Sequence, residues 1–120
     1  MALGGYAGTA ITVLTAQDTT QVSKIESVSA EMVAQQMSMM FDDIGVDCIK
    51  TGMLYSRNII AAVSAMLLEK ARNVPMVLDP VLVATSGSVL LEKSARQALT
   101  EQLFHQSRSL LCLINSLMLK

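Results

Sequence analysis

The chain has 120 residues, a formal net charge of −1, 52% hydrophobic residues and only 3% aromatic residues. This length and apolar content are typical of one globular domain or part of one. The near-neutral charge and scarce aromatic side chains argue against a nucleic-acid partner, because neither a basic surface nor a stacking platform is present. Apolar runs stay well short of the ~20 residues that span a bilayer, and residues 1–9 lack a signal-peptide pattern, so we expect a cytoplasmic protein with no membrane partner.

The sequence pattern of residues 1–45 predicts two strands followed by a helix. Thr9–Ala16, rich in Thr, Ile and Val, is predicted to be a buried strand, and Val22–Ser27 is predicted to be a more exposed strand. Ser29 is the expected N-cap of the helix, with Glu31 in its first turn. This helix ends near Gly45, and its apolar face is formed by Met32, Val33, Gln36, Met37, Met40, Phe41 and Ile44.

The rest of the chain continues the alternation of strands and helices. Cys48–Lys50 is predicted to be a short strand, and Ser56 or Asn58 caps the helix that follows. The remaining predicted elements are helix Ile59–Ala71 with apolar residues Ile60, Val63, Leu67 and Leu68, strand Pro75–Leu78, helix Lys93–Phe104 and strand Leu110–Ile114. Strands separated by helices require crossover connections, so the fold class is α/β, a mostly parallel sheet with helices on both faces.

The loop after the Pro75–Leu78 strand is the first candidate site. It reads Asp79-Pro80-Val81-Leu82-Val83-Ala84-Thr85-Ser86-Gly87. In open α/β sheets, ligands bind beyond the carboxyl ends of the strands. An aspartate there can position a metal-bound water or a reacting hydroxyl, and small residues let backbone N–H groups approach phosphate. Taken alone, however, Asp-Pro at a strand end more often marks only the end of the strand.

Two further segments make the pattern specific. They are Thr15-Ala16-Gln17-Asp18-Thr19 and Lys50-Thr51-Gly52-Met53. Together with Asp79-Pro80-Val81, and in this order, they resemble the hydroxymethylpyrimidine/phosphomethylpyrimidine kinases, a branch of the ribokinase-like superfamily that acts in thiamine biosynthesis. The resemblance extends from about Ala2 to about Leu113. It implies a ribokinase-like fold and phosphoryl transfer from Mg-ATP to an aminopyrimidine and then to its monophosphate.

The resemblance also implies roles for individual residues. Gln17, Met53 and Val81 are expected to contact the pyrimidine substrate. Asp79 is expected to help arrange Mg²⁺, its waters or the ATP phosphates, and Thr85, Ser86 and Gly87 are expected near the nucleotide. Lys50 is interpreted as a structural or solvated lysine rather than a phosphate ligand, and Gly52 as a glycine that permits a tight turn or a close backbone approach. The resemblance identifies no further residue of this chain as a metal ligand.

Other parts of the family pattern do not match this chain. A glycine-rich first loop and a later Gly-Thr-Gly-Cys-like motif with the catalytic cysteine have no counterpart, and Leu113-Ile114-Asn115-Ser116 departs from the expected Leu-Ile-Thr-Pro. We therefore expect residues 1–120 to form a partial ribokinase-like domain, incomplete at both ends, with no catalytic residue and no useful kinase activity alone. Exposed sheet edges would then disfavour a stable monomer; the intact family allows a homodimer.

The two cysteines and the histidine are not assigned to the site. Cys48 and Cys112 form no CxxC pair and are predicted to be buried free thiols. His105 has no partner at metal-ligand spacing and is expected at a surface or helix end.

Two alternatives remain open. One is a sister enzyme of the same superfamily, such as a pyridoxal kinase, against which Thr15-Ala16-Gln17 and Lys50-Thr51-Gly52-Met53 argue. The other is a non-catalytic remnant that binds a pyrimidine or a partner protein.

Overall fold

Strands and helices follow each other in the predicted order in the computed structural model, which describes residues 4–82, 87 and 89–104. The elements are β1 (Val13–Gln17), β2 (Val22–Ser27), α1 (Ala30–Asp43), β3 (Ile49–Thr51), α2 (Arg57–Lys70), β4 (Met76–Leu78), α3 (Lys93–Ala98) and a π-helical segment (Leu99–Phe104). The predicted strand Leu110–Ile114, together with His105 and Cys112, lies outside the described residues.

The strands β1 and β2 form an antiparallel two-stranded ribbon in which Val13 is paired with Ser27. A short turn joins them, so no crossover is needed. The prediction that the first strand is buried is wrong, since 58% of Leu14 is exposed. A two-stranded ribbon can bury side chains only where another layer packs on it, and four of the five β1 residues are exposed.

Asp18 closes the turn of this ribbon. Its carboxylate oxygen Oδ1 accepts hydrogen bonds from the backbone N–H of Thr20 (2.7 Å), the Thr20 hydroxyl (2.7 Å) and the backbone N–H of Gln21 (2.9 Å). The Thr20 hydroxyl first, and then the two N–H groups, hold the pKa of Asp18 below its ordinary value of 3.8. Asp18 therefore acts as the turn-forming residue of the ribbon.

The strands β3 and β4 form a parallel pair, as predicted for strands separated by a helix. Ile49 is paired with Met76 and Thr51 with Leu78. A backbone hydrogen bond from Asp79 N–H to the Thr51 carbonyl (3.1 Å) continues the ladder past the end of β4. The helix α2 makes the crossover between them.

Serine hydroxyls begin both long helices. The Ser29 hydroxyl accepts a hydrogen bond from Met32 N–H (3.2 Å), which confirms the predicted N-cap of α1. The Ser56 hydroxyl accepts from Ile59 N–H (3.4 Å), so Ser56 rather than Asn58 caps α2. At the other end of α1, Gly45 adopts a φ of +76°. This left-handed conformation commonly ends a helix, and glycine adopts it with the least strain because it has no Cβ atom.

The core lies between α1, α2, β4 and α3. Its fully buried large side chains are Ile59, Ile60, Leu78, Leu103 and Val33. Within the predicted helix faces, Val33 and Met37 of α1 are buried, as are Ile60, Val63 and Leu67 of α2. Three other members of those faces, Met32, Ile44 and Leu68, are exposed. Helical spacing predicts the direction of an apolar face, whereas the neighbouring elements determine its width.

Cys48 is exposed and free, so its predicted burial is wrong. The strand β3 begins one residue later, at Ile49, and Cys48 therefore lies in the connection rather than in the sheet. No helix in the described part of the chain is long and apolar enough to cross a membrane.

Candidate functional site

Two of the three predicted motifs meet at one edge of the parallel sheet. Because β3 and β4 run in the same direction, the segments that follow them leave the sheet side by side. Gly52 and Met53 follow β3, whereas Asp79, Pro80 and Val81 follow β4. The hydrogen bond from Asp79 N–H to the Thr51 carbonyl joins the two segments directly. This is the place where α/β sheets bind their ligands.

An ion pair lies at this edge. The Lys50 ammonium nitrogen Nζ is 2.9 Å from Oδ2 of Asp79, with 61% of the Lys50 side chain and 26% of the Asp79 side chain exposed. Side chains alternate along a strand, so Lys50 and the position of Gly52 lie on the same face. A Cβ atom built on Gly52 would lie 4.0 Å from Lys50 Nζ, so the lysine reaches across the glycine to the aspartate. Lys50 is thus solvated, as predicted, and is also the counter-ion of Asp79.

Gly52 was expected to permit a tight turn or a close backbone approach. Its φ is not among the positive values found in the described glycines, which belong to Gly4, Gly45 and Gly87. A Cβ atom built on Gly52 would meet only Lys50 Nζ, at 4.0 Å, so no described backbone group approaches it closely.

A hydrogen bond ties the ribbon to the segment after β3. The Thr12 hydroxyl donates to the Met53 carbonyl at 2.7 Å, across a sequence separation of 41 residues. The Thr12 carbonyl accepts from Val28 N–H at 2.9 Å, which extends the ribbon ladder to this point. Thr12 therefore anchors the base of the ribbon next to Met53. Sequence reasoning placed Thr12 inside the predicted strand Thr9–Ala16 and missed this role, because a strand threonine carries no local signal of a distant partner.

Gln17 lies at the far end of β1, close to the turn of the ribbon. The register shifts between Ala16 and Gln17, and the Gln17 side chain is exposed. At about 3.3 Å per residue, Gln17 is roughly 17 Å further along the strand than Thr12. In the described part of the chain, its amide makes no hydrogen bond to a backbone group or side chain.

The loop after β4 is described only in part. Val81 is half-buried at the sheet edge, and the backbone N–H of Leu90 donates to the Leu82 carbonyl at 2.9 Å, which closes the loop. Gly87 has a φ of +86°, a conformation that glycine adopts without strain. Ser86 and Thr85 lie outside the described residues.

Tyr55, which the sequence did not single out, has a strained backbone. Its φ is +60°, and the N–H of Ser56 donates to the Leu54 carbonyl at 2.7 Å, closing a three-residue turn around it. Such a turn is rare for a bulky residue. The Tyr55 carbonyl accepts from Glu92 N–H at 3.1 Å, so a contact with the segment before α3 stabilises the turn. This turn directs the chain from Met53 into α2.

The carboxylate at the edge suits a cation that is held mainly by phosphate and water. Across the described residues, no group of three or more His, Cys, Asp and Glu side chains could enclose a metal ion. Mg²⁺ in nucleotide sites typically uses one or two carboxylates, several waters and the substrate phosphates. Asp79 at the sheet edge matches that type of site.

Comparisons with known proteins show the family of this chain. The family model "Phosphomethylpyrimidine kinase" matches residues 1–111. The hydroxymethylpyrimidine/phosphomethylpyrimidine kinase of Rhizobium meliloti is 45% identical over 102 residues, which make up 85% of this chain and 38% of that protein.

Solved structures show the same relationship. The phosphomethylpyrimidine kinase of Clostridium difficile 630 superimposes with a TM-score of 0.80 at 31% identity, over 91% of this chain and 47% of that one. The pyridoxal kinase of Bacillus subtilis, solved as an ADP complex, has a TM-score of 0.68 at 29% identity. This match covers 84% of this chain and 36% of that one. The chain thus spans less than half the length of each of these relatives. Their likeness confirms the ribokinase-like α/β fold, and the chain belongs to the phosphomethylpyrimidine kinase family.

Proposed function

We propose that this chain forms the pyrimidine-facing part of an ATP-dependent hydroxymethylpyrimidine/phosphomethylpyrimidine kinase of thiamine diphosphate biosynthesis. The observation that carries the proposal is the meeting of Lys50-Thr51-Gly52-Met53 and Asp79-Pro80-Val81 at the carboxyl edge of one parallel strand pair. Each segment alone is a weak signal. Their junction by the hydrogen bond from Asp79 to Thr51 creates one surface on which a small molecule can contact both.

On the substrate side, we assign Met53 and Val81 to the pyrimidine at the sheet edge. We also assign Gln17 to it, although Gln17 lies roughly 17 Å along the ribbon from Thr12 and the structure does not bring it to that edge. A side-chain amide offers a donor and an acceptor, which matches the ring nitrogen and amino group of an aminopyrimidine. The amide of Gln17 is available, because no described group occupies it. Half-buried Met53 and Val81 supply apolar contacts at the sheet edge.

On the nucleotide side, we assign Asp79, Ser86 and Gly87, with ATP and Mg²⁺ as the cofactors. Bound Mg²⁺ would neutralise phosphate charge during transfer of the phosphoryl group to the hydroxymethyl oxygen. Asp79 would orient the ion or its waters from the end of β4, and the left-handed Gly87 would let the loop backbone approach phosphate. We place this reaction in the cytoplasm, and a homodimer is compatible with it.

The chain spans 38% of the Rhizobium meliloti kinase. We therefore propose that the 120-residue chain binds the pyrimidine while turning it over far more slowly than that enzyme. Positioning and charge stabilisation come from groups distributed over a whole kinase site, and loss of even one oxyanion-type donor costs about 10²–10³ in rate.

Calorimetric titration of the 120-residue chain with 4-amino-5-hydroxymethyl-2-methylpyrimidine tests the proposal. We expect binding that Gln17→Ala weakens by about tenfold, the effect of one lost hydrogen-bonding group. Gln35→Ala, which removes an exposed glutamine from α1, is the matched control. Equal binding by the Gln17 variant would contradict the assignment of Gln17, and no binding by the unaltered chain would contradict the function. A phosphoryl-transfer assay beside the Rhizobium meliloti kinase measures the difference in turnover.

Pyridoxal phosphorylation is the second candidate, because the chain is also similar to the Bacillus subtilis pyridoxal kinase. A titration with pyridoxal under the same conditions separates the two. Tighter binding of pyridoxal than of the aminopyrimidine would favour the second candidate.

A further inference from the structure

The ion pair between Lys50 and Asp79 lies on the surface where a metal-bound phosphate would arrive. Each strand contributes one charge, and the pair crosses from β3 to the first residue after β4. Both charges lie at the carboxyl edge of the sheet. The ion pair therefore presents a cation and an anion side by side, which is the charge pattern complementary to a divalent cation held by a phosphate.

The Lys50 side chain is free to move because little covers it. Its side chain is 61% exposed, and the neighbouring Gly52, whose Cβ position lies 4.0 Å from Lys50 Nζ, has no side chain to confine it. An ion pair with one exposed partner is readily exchanged, since water also solvates the ammonium group. An ammonium group on a flexible four-carbon stem can exchange a carboxylate for a phosphate oxygen, and lysine is a common phosphate ligand.

Asp79 is less free to move than its partner. Its backbone N–H is held by the Thr51 carbonyl, and only 26% of its side chain is exposed. Oδ2 contacts Lys50, whereas Oδ1 has no partner within the described part of the chain. A carboxylate fixed in this way can accept a metal ion or its water once the lysine has withdrawn.

We propose that Lys50 is a phosphate ligand that rests on Asp79 and exchanges partners when a magnesium-bound polyphosphate binds. Asp79 then contacts the metal or its water, and Lys50 contacts a phosphate oxygen. The proposal rests on the proposed function in its assignment of Asp79 to the nucleotide side. It assigns to Lys50 a role that the sequence analysis did not give it. Mg²⁺ alone offers no partner to the Lys50 ammonium group, and a phosphate alone offers none to the Asp79 carboxylate. The exchange therefore requires Mg²⁺ and the polyphosphate together.

The test follows the Lys50 side chain in the full 120-residue chain. Reductive methylation with ¹³C labels every lysine and keeps its charge, and Lys50→Arg identifies the Lys50 signal by its loss. The probes are Mg²⁺ alone, pyrophosphate alone, and both together, with no pyrimidine present. We expect the Lys50 signal to shift strongly only with both ions. An unchanged Lys50 signal in the unaltered chain at saturating magnesium pyrophosphate would overturn the proposal.

Affinities measured by calorimetry give a second readout. Lys50→Met should weaken magnesium pyrophosphate binding by about tenfold, the loss of one charge-assisted contact, whereas Lys50→Arg keeps the charge and most of the affinity. Lys24→Met is the matched control, because Lys24 is also an exposed strand lysine in an ion pair, with Glu26 at 3.3 Å. Equal losses for Lys24→Met and Lys50→Met would contradict a site at Lys50.

The two proposals fail separately in these experiments. Pyrimidine binding with an unresponsive Lys50 signal overturns the role of Lys50 alone. A responsive Lys50 signal without pyrimidine binding overturns the pyrimidine assignment and leaves a magnesium-phosphate site.

Discussion

The hydroxyl of Thr12 and the carbonyl of Met53 form a 2.7 Å hydrogen bond that joins the β1–β2 ribbon to the edge of the parallel sheet. Through it, the strand that carries Gln17 and the segment that carries Met53 are held in one arrangement. This hydrogen bond thus fixes how the ribbon leaves the segment that contains Met53.

Replacement of Thr12 by valine should therefore affect both stability and binding. Thr12→Val keeps the side-chain shape and removes the donor, so we expect a loss of about 1 kcal/mol in the free energy of unfolding and weaker pyrimidine binding. Thr12→Ser keeps the hydroxyl and should retain most of the affinity. Denaturant unfolding and calorimetric titration of both variants measure the two effects. Equal affinities of Thr12→Val and the unaltered chain would show that the hydrogen bond does not position Met53.

The hydroxyl of Thr51, unlike that of Thr12, makes no hydrogen bond among the described residues. The Thr51 side chain is 6% exposed. Burial of an unpaired hydroxyl is costly, so Thr51→Val should leave stability unchanged or raise it by up to about 1 kcal/mol. Denaturant unfolding measures this change. A clear loss of stability would mean that the hydroxyl has a partner, such as a bound water.

Gly45 should resist substitution because of its backbone. At a φ of +76°, an alanine would be strained even though nothing lies within 4 Å of a Cβ atom built there. We expect Gly45→Ala to lower the free energy of unfolding by about 1 kcal/mol. Gly5→Ala is the matched control, since it has the same open surroundings without a positive φ. Thermal or denaturant unfolding of both variants measures the change. Equal losses of stability in Gly45→Ala and Gly5→Ala would argue against the left-handed helix end.

Protonation of Asp18 should loosen the turn of the ribbon. Its pKa lies below 3.8 because the Thr20 hydroxyl and the N–H groups of Thr20 and Gln21 bond to the ionised carboxylate. A lowered folded-state pKa means that the stabilisation is complete above the unfolded value of 3.8 and is lost as the pH falls through the folded pKa. NMR titration of the Thr20 and Gln21 amides should therefore show a midpoint below pH 3.8. Asp18→Asn should remove this titration, and a midpoint at or above 3.8 would contradict the turn geometry.

Local signals explain the parts of the fold that could be predicted. Ser29 and Ser56 cap their helices through bonds to residues three positions away, so the information lies within a few neighbours. The strand Val22–Ser27 was predicted with its observed bounds. The family motifs are likewise short runs of residues, and the comparisons confirmed the family that they indicated.

The burial of individual side chains was less predictable. Met32, Leu14 and Leu68 are apolar residues in favourable patterns, yet they are exposed. Cys48 is exposed because β3 begins one residue after it. Periodicity indicates which side chains can share a face, but only the packing of other elements against that face buries them.

By itself, the sequence determined the order of strands and helices, the helix caps and the family, because each depends on local preference or on residue identity. The tertiary structure alone decided that Lys50 reaches Asp79 and that Thr12 holds Met53. Both contacts join residues that are far apart in the chain, and they form only when parallel pairing of β3 with β4 and closure of the ribbon bring those residues together. The physical reason is that pairing register, rather than local propensity, sets which distant side chains become neighbours.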